Sequence, residues 1–240
     1  MKEPRSLKEL GIEGEVVLCF SGGIDSFVGR HYLGIENVGG GPVYFDLHSR
    51  YSKKERTYIR RNFRNTVIDN SLSWLGKYEE GEKAFVPYRN LYLAMTASIK
   101  YAPNVCICGV KDDVINDKNQ IVFDLWSGHL SEIGRKRVRI FSPFWEMTKV
   151  DIVRWYLNTG GTEKAILNTV SCYSPGRENY CGRCPSCFRE WVALRANGVD
   201  ISFHNIELVK EYYVKCLRGE YEQRRNESTL RVIREAYSSF

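Results

Sequence analysis

The stretch Val16-Val17-Leu18-Cys19-Phe20-Ser21-Gly22-Gly23-Ile24-Asp25-Ser26 decides the fold. Its first five residues are a short apolar run and read as a buried strand. Phe27 to Leu33 can continue as a helix, so Ser21–Ser26 sits on a strand-to-helix turn. Two glycines permit positive φ and close approach of a ligand to the backbone. The serines and the helix N-terminus supply hydroxyl and N–H donors, which suit an anion. An ordinary tight turn with an Asp/Ser cap uses the same residues. The strand before and the helix after are the context that a phosphate loop needs, and they favour phosphate binding. No Gly-Lys-Ser/Thr follows, so this is not a Walker A loop.

The same grammar recurs downstream. Gly41-Pro42 opens a second strand, Val43 to Leu47, followed by His48-Ser49-Arg50-Tyr51-Ser52. Tyr58, Ile59, Phe63, Val67, Ile68, Leu72 and Leu75 recur at helical spacing and predict one long helix from Lys53 to about Leu75. The basic residues of its first half, Lys53 to Arg64, read as a wet face rather than a nucleic-acid surface. After the polar loop Lys77 to Lys83, Pro87 ends a strand and Arg89-Asn90 begin a helix to about Lys100. Val105 to Val110 reads as a buried strand, and Phe123 to about Arg135 has mixed helical character. Arg135-Lys136-Arg137 reads as exposed, and Val138 to Phe141 as another strand. Thr148 caps a helix from Lys149 to Asn158, stopped by Gly160-Gly161. Alternating strands and helices predict an α/β fold with a parallel sheet, and ligands then lie at the strands' carboxyl ends. His48 and Arg50 sit at such an end, although His48 serves equally well as a loop cap. Arg89 can clamp an anion bidentately or pair on the surface. Asp112 and Asp113 can hold Mg²⁺ or be solvated loop charges.

The second signal is cysteine spacing. Of eight cysteines, four fall within sixteen residues: Cys172, then Cys181-Gly-Arg-Cys184-Pro-Ser-Cys187. The C-x₂-C-x₂-C run with a glycine in the knuckle matches a tetrahedral zinc site better than an iron–sulfur cluster. Four thiolates leave no open position, so the zinc would be structural. Cys19, Cys106 and Cys108 lie in apolar runs and are expected as buried reduced thiols. Phe188 to Ala196, Asn205 to Arg218 and Asn226 to Tyr237 read as helices. The division expected is a phosphate-loop α/β domain over 1–165 and a zinc-binding helical region over 166–240.

Composition bounds the rest. At 240 residues the chain suffices for one sizeable core. The net charge of +6 suits an anionic partner but, spread along the chain, is chiefly a solvated surface. No apolar run approaches a membrane span and the first ten residues lack a signal peptide's apolar core, so a cytoplasmic protein is expected.

The Ser21–Ser26 loop resembles that of the PP-loop (N-type) ATP pyrophosphatases, which split ATP into AMP and pyrophosphate. The resemblance implies that Ser21, Gly22, Gly23, Asp25 and Ser26 hold the pyrophosphate, with Asp25 near Mg²⁺. More of the chain, from about Val16 to about Leu194, is similar to the 7-cyano-7-deazaguanine synthase (QueC) family. The similarity adds Val86-Pro87-Tyr88-Arg89-Asn90, Gly109-Val110, Pro143 with Thr148-Lys149, and Ser171-Cys172-Tyr173 with the three later cysteines. It implies a Rossmann-like, adenine nucleotide alpha hydrolase-like fold that binds ATP, Mg²⁺ and structural zinc, usually as a homodimer. It further implies activation of a 7-deazaguanine carboxylate as an adenylate, and displacement of AMP by ammonia to give an amide and then a nitrile. Lys149 would contact the phosphates. Arg89 and Asn90 would lie near the nucleotide or the purine acid, and Gly109 at a binding strand's end.

Three departures stand out. Tyr88 replaces the glycine of the family's Pro-Gly-Arg-Asn. His48-Ser49-Arg50-Tyr51-Ser52 replaces a Gln-Arg-His stretch. Lys111 to Asn119 is unlike the family segment that helps to hold the deazapurine. The chain also continues past the cysteines for longer than is usual in that family. A changed pocket and an added tail suit transfer of the activated deazaguanine to a protein amine, a reaction ascribed to QueC-like proteins of antiviral gene clusters. Two other classes compete. A PP-loop tRNA-modifying enzyme is disfavoured because zinc would occupy the clustered cysteines that sulfur transfer needs. A non-enzymatic zinc-knuckle module would not need an intact Ser-Gly-Gly-x-Asp-Ser turn.

Overall fold

The computed structural model describes residues 2–81, 85–113, 115–172, 174, 180–201, 205–221 and 223–236. Lys83, Val114, Tyr173 and Tyr237, which figure in the expectations above, lie outside the described residues. Five strands form one sheet: β1 (Val16–Cys19), β2 (Pro42–Phe45), β3 (Val67–Asp69), β4 (Asn104–Cys106) and β5 (Arg139–Phe141). Their order is β3-β2-β1-β4-β5 and every neighbouring pair is parallel, with Leu18 opposite Pro42 and Val17 opposite Val105. The helices are α1 (Ile24–Ile35), α2 (Ser52–Asn62), α3 (Arg89–Lys100), α4 (Gln120–Gly134), α5 (Lys149–Asn158), α6 (Glu163–Leu167), α7 (Pro185–Arg195), α8 (Ile206–Leu217) and α9 (Gln223–Ala236).

Alternation along the strands builds two cores, one on each sheet face. Leu18, Phe20 and Tyr44 pack with Ile24 and Val28 of α1 and with Ile152 and Val153 of α5. Val17, Val43, Phe45 and Val105 face the other way, against Ala94 and Ala97 of α3 and Phe123 of α4. The first core continues into the C-terminal helices through Phe188, Trp191, Val209, Tyr212, Val232 and Ile233. There the Phe188 and Tyr212 rings stack with centroids 4.0 Å apart. The chain leaves β1 in one direction to form β2 and β3 and in the other to form β4 and β5. The sheet's topological switch point, where α/β proteins bind ligands, therefore lies between the carboxyl ends of β1 and β4.

The long helix expected over Lys53–Leu75 is not formed. α2 ends at Asn62, Phe63 leaves the helical region at φ −136° and ψ 66°, and the chain extends into β3 before a 3₁₀ turn over Ser73–Tyr78. Thr66, Val67 and Ile68 are β-branched, and Val67–Asp69 pair with β2, which outweighs the helical spacing. The strand expected over Val105–Val110 is also shorter. Past Ile107, whose N–H still donates to Phe141 O, the chain leaves the ladder. α5 begins and ends where its cap residues place it, with Thr148 and Asp151 forming a reciprocal capping box.

Candidate active site

The turn after β1 is held by its own serines. Ser26 Oγ donates to Gly23 O (3.1 Å) and accepts from Ser21 N–H (3.2 Å). Gly22 adopts φ +81°, and a side chain there would begin 2.9 Å from the Tyr58 ring. At Gly23 it would begin 2.7 Å from Ser171 Oγ. Position 22 thus requires glycine, while a side chain at Gly23 would displace the Ser171 hydroxyl. Gly23 is the N-cap of α1 and has no side chain to cap it, so first-turn N–H groups remain for an anion.

Asp25, in that first turn, is the hub of a charged cluster. Lys149 Nζ lies 2.5 Å from its Oδ1, and Lys118 Nζ lies 3.8 Å from its Oδ2 and 2.9 Å from Asp113 Oδ2. Lys149, the first residue of α5, donates its backbone N–H to Asp112 Oδ1 (3.0 Å). Burial opposes charge on Lys118, but Asp113 and Asp25 outweigh it and raise its pKa. Burial likewise works against the Asp113 carboxylate, and Lys118 and Lys149 overcome it, so its pKa is lowered. For Asp112 burial prevails over Arg225 and the Lys149 N–H, and its pKa is raised.

This cluster lies in the wall of a cavity of about 800 Å³ at the switch point. Ser21, Asp25, Ser26, Arg89, Asn90 and Lys149 all line it. Asn90 is buried and donates to Asp117 Oδ1 (3.0 Å). Gly109 stands behind the lining. Its N–H donates to Ser142 Oγ (3.0 Å), and a side chain there would meet the Trp145 ring at 2.3 Å. His48 and Arg50 are not brought to the cavity. His48 is exposed and donates its N–H to Asp46 Oδ1, and Arg50 pairs with Glu79. Lys53, Arg60, Arg61 and Arg64 are exposed, as a wet face should be, while Arg56 pairs with Asp46. Asp112 and Asp113, read as either metal ligands or solvated charges, are instead paired with cations.

Sequence reasoning missed several groups at the cavity. Lys118 lies in a segment without periodicity, and Arg225 in a helix read only as packing. Glu55, on α2, accepts from Tyr44 Oη (2.9 Å), and burial pushes its pKa up to about 8. Glu190, on α7 and behind the lining, is 1% exposed, and among the described residues neither of its carboxylate oxygens completes a hydrogen bond. Burial pushes its pKa up to about 7, against the pull of Lys149 and the nearby Ser171 hydroxyl. Its signal was its place three residues after Cys187.

The cysteine cluster stands directly behind the loop. Sγ atoms of Cys172, Cys181, Cys184 and Cys187 all lie within 4.8 Å of one another, a group that can hold a metal ion. The 3.5 Å and 3.9 Å separations from Cys187 to Cys184 and Cys181 bracket the ~3.8 Å expected between thiolates at tetrahedral Zn–S distances. Backbone N–H groups of Ser174, Arg183 and Cys187 point at three of the sulfurs, as thiolates require. Cys184 is the N-cap of α7, and Pro185 its first residue. Adjoining Cys172, Val170 N–H donates to Gly22 O (2.9 Å), so the strap from the cluster is tied to the loop. Cys106 and Cys108 are buried free thiols, as expected, while Cys19 is only half-buried.

A family model for queuosine biosynthesis protein QueC matches residues 63–199. That span holds the cysteine cluster, Arg89, Asn90 and Lys149, begins after the Ser21–Ser26 loop and ends before α8. The chain is also similar to proteins named 7-cyano-7-deazaguanine synthase. The one from Pseudoalteromonas atlantica is 28% identical over 211 residues, covering 76% of this chain and 94% of that protein. Those from Sulfolobus acidocaldarius and Saccharolobus solfataricus are 24% and 26% identical over 217 and 216 residues. Each of these alignments covers 77% of this chain and 46% of the relative, so the chain spans about half the length of those two. Since more than half of its residues match one family model, the protein belongs to the QueC family.

Proposed function

We propose that this protein activates the carboxylate of a 7-deazaguanine as an adenylate, at the expense of ATP, and that a nitrogen nucleophile then displaces AMP. The observation that carries the reading is the Ser21–Ser26 turn at the switch point, with Lys149 on Asp25, in a chain of the QueC family. The acid's oxygen attacks the α-phosphorus, the bond to the pyrophosphate oxygen breaks, and pyrophosphate leaves. Loop hydroxyls, the N–H groups opening α1 and Lys149 face the charge that develops there. Ammonia then adds to the acyl carbon, loses a proton, and expels AMP to give the amide. A second ATP removes the amide oxygen and yields the nitrile, 7-cyano-7-deazaguanine. Arg89 and Asn90 are suited to the acid or the nucleotide. Formally the enzyme is a C–N ligase.

The residues present fit the implied metals. Asp25 and Asp113 offer hard oxygen ligands beside Lys118, and they would hold Mg²⁺. Bound there, Mg²⁺ would neutralise phosphate charge. The four cysteines would hold zinc, with a structural role. Residues 1–165 would bind ATP while 166–240 brace the loop, in a cytoplasmic homodimer.

Transfer to a protein amine is the second reading. It is favoured by Tyr212, Lys215 and Tyr221, which line the cavity from or beside α8, outside the family match. Metal-loaded protein incubated with ATP, Mg²⁺ and 7-carboxy-7-deazaguanine, with and without ammonia, tests both by mass spectrometry. Nitrile and AMP support the first. A product that stops at the adenylate or amide, together with mass added to a protein, supports the second. No AMP under any condition refutes both.

A further inference from the structure

Two parts of the chain that depart from the family pattern meet at the cavity. One is the 111–119 segment and the other is α9, which lies beyond the matched residues. Arg225 of α9 is 7% exposed, lines the cavity, and places Nε 3.5 Å from Asp112 Oδ2 and Nη2 3.6 Å from Asp113 Oδ1. Each aspartate has a second partner. Asp112 accepts the backbone N–H of Lys149, and Asp113 holds Lys118. Both lysine ammonium groups end on Asp25. The contacts therefore close a ring: Arg225, Asp112, Lys149, Asp25, Lys118, Asp113 and back to Arg225. Arg225 is its only member from beyond residue 199.

Adjacent buried carboxylates repel unless a cation lies between them. The planar guanidinium can face both at once, which an ammonium cannot do equally well. Tyr221 and Tyr212 hold this wall in place, their rings packed edge to face at 5.3 Å and Tyr212 stacked on Phe188 of α7. With Arg225 removed, Asp112 and Asp113 would draw Lys118 and the start of α5 into new pairings, and both lysines would leave their places beside the loop.

We propose that Arg225 is a positioning residue of the ATP site, acting through Asp112 and Asp113 on Lys149 and Lys118. The C-terminal helices would thus be part of the enzyme's phosphate-handling machinery. The inference rests on the reading of the site as one that binds and splits ATP.

The test compares the full chain with its Arg225→Ala and Arg225→Lys variants. Arg231→Ala, on the exposed side of α9, controls for the tail's stability. Calorimetry reads ATP·Mg²⁺ affinity without any acid substrate, and AMP formation with 7-carboxy-7-deazaguanine reads turnover. The expected result for Arg225→Ala is a loss of about 10–100-fold in affinity and in kcat, with Arg225→Lys intermediate and Arg231→Ala unchanged. Millimolar guanidinium should restore part of the loss in Arg225→Ala, and equimolar sodium none. Unchanged affinity and turnover would overturn the inference. So would losses that guanidinium cannot reverse and that follow a lowered melting temperature. If the wild type binds ATP but makes no AMP, the substrate reading fails and Arg225 is judged on affinity alone. If the wild type does not bind ATP, both readings fall.

Discussion

Tyr88 illustrates how one residue carries both a family resemblance and its departure. It stands at φ +57°, opens α3 and is 71% exposed. The family's glycine at this point suits that left-handed backbone, and a tyrosine keeps it at a cost. Tyr88→Gly is therefore expected to stabilise the fold by about 0.5–1 kcal/mol in denaturant titration. Lys149 is the contrasting case, a residue whose importance under the proposed function is chemical. Lys149→Ala should lower AMP formation about 10²–10³-fold while circular dichroism stays native. Glu190 joins stability to pH. Its carboxyl keeps a proton up to about pH 7 in the fold, against 4.5 unfolded. Over that window the folded state holds the proton that the unfolded state has lost, so stability falls as pH rises and is level above it. Glu190→Gln should remove the fall and gain about 2 kcal/mol over the native protein near pH 8, but little near pH 4.5. A pH series of thermal melts reads the difference.

At the scale of elements, the strap between the cysteine cluster and the loop makes a direct prediction. Val170 N–H holds Gly22 O, and Ser171 Oγ lies where a Gly23 side chain would begin. Stripping metal with a chelator should speed amide exchange at residues 21–26 and 170–172 and weaken ATP binding, while β4 and β5 stay protected. Elements were legible wherever local chemistry decides them. The glycines and serines of the loop, the Thr148 cap of α5 and the C-x₂-C-x₂-C run announce themselves. The break between α2 and β3 did not, because Tyr58, Ile59, Phe63, Val67 and Ile68 keep helical spacing across it. Only pairing of Val67–Asp69 with β2 makes that stretch extended.

For the whole molecule, the parallel order β3-β2-β1-β4-β5 places the loop, Lys149 of α5, Arg89 of α3 and Arg225 of α9 around one cavity. The sequence pattern showed the sheet's class and singled out the loop, Arg89, Asn90 and Lys149, which the structure brings to one cavity. It could not show that Lys118 and Arg225 join them, since their partners lie 93 and 113 residues away, at Asp25 and Asp112. Gly109 was placed in the site by the family resemblance alone, and its Cα faces the Trp145 ring. In the proposed reaction the acid's own oxygen attacks the α-phosphorus of ATP held at the Ser21–Ser26 loop. The most direct measurement uses 7-carboxy-7-deazaguanine labelled with heavy oxygen in its carboxylate, with mass analysis of the nucleotide released. AMP carrying one labelled oxygen is expected from the native protein, and none from Asp25→Ala. Unlabelled AMP, or ADP as the product, would contradict it.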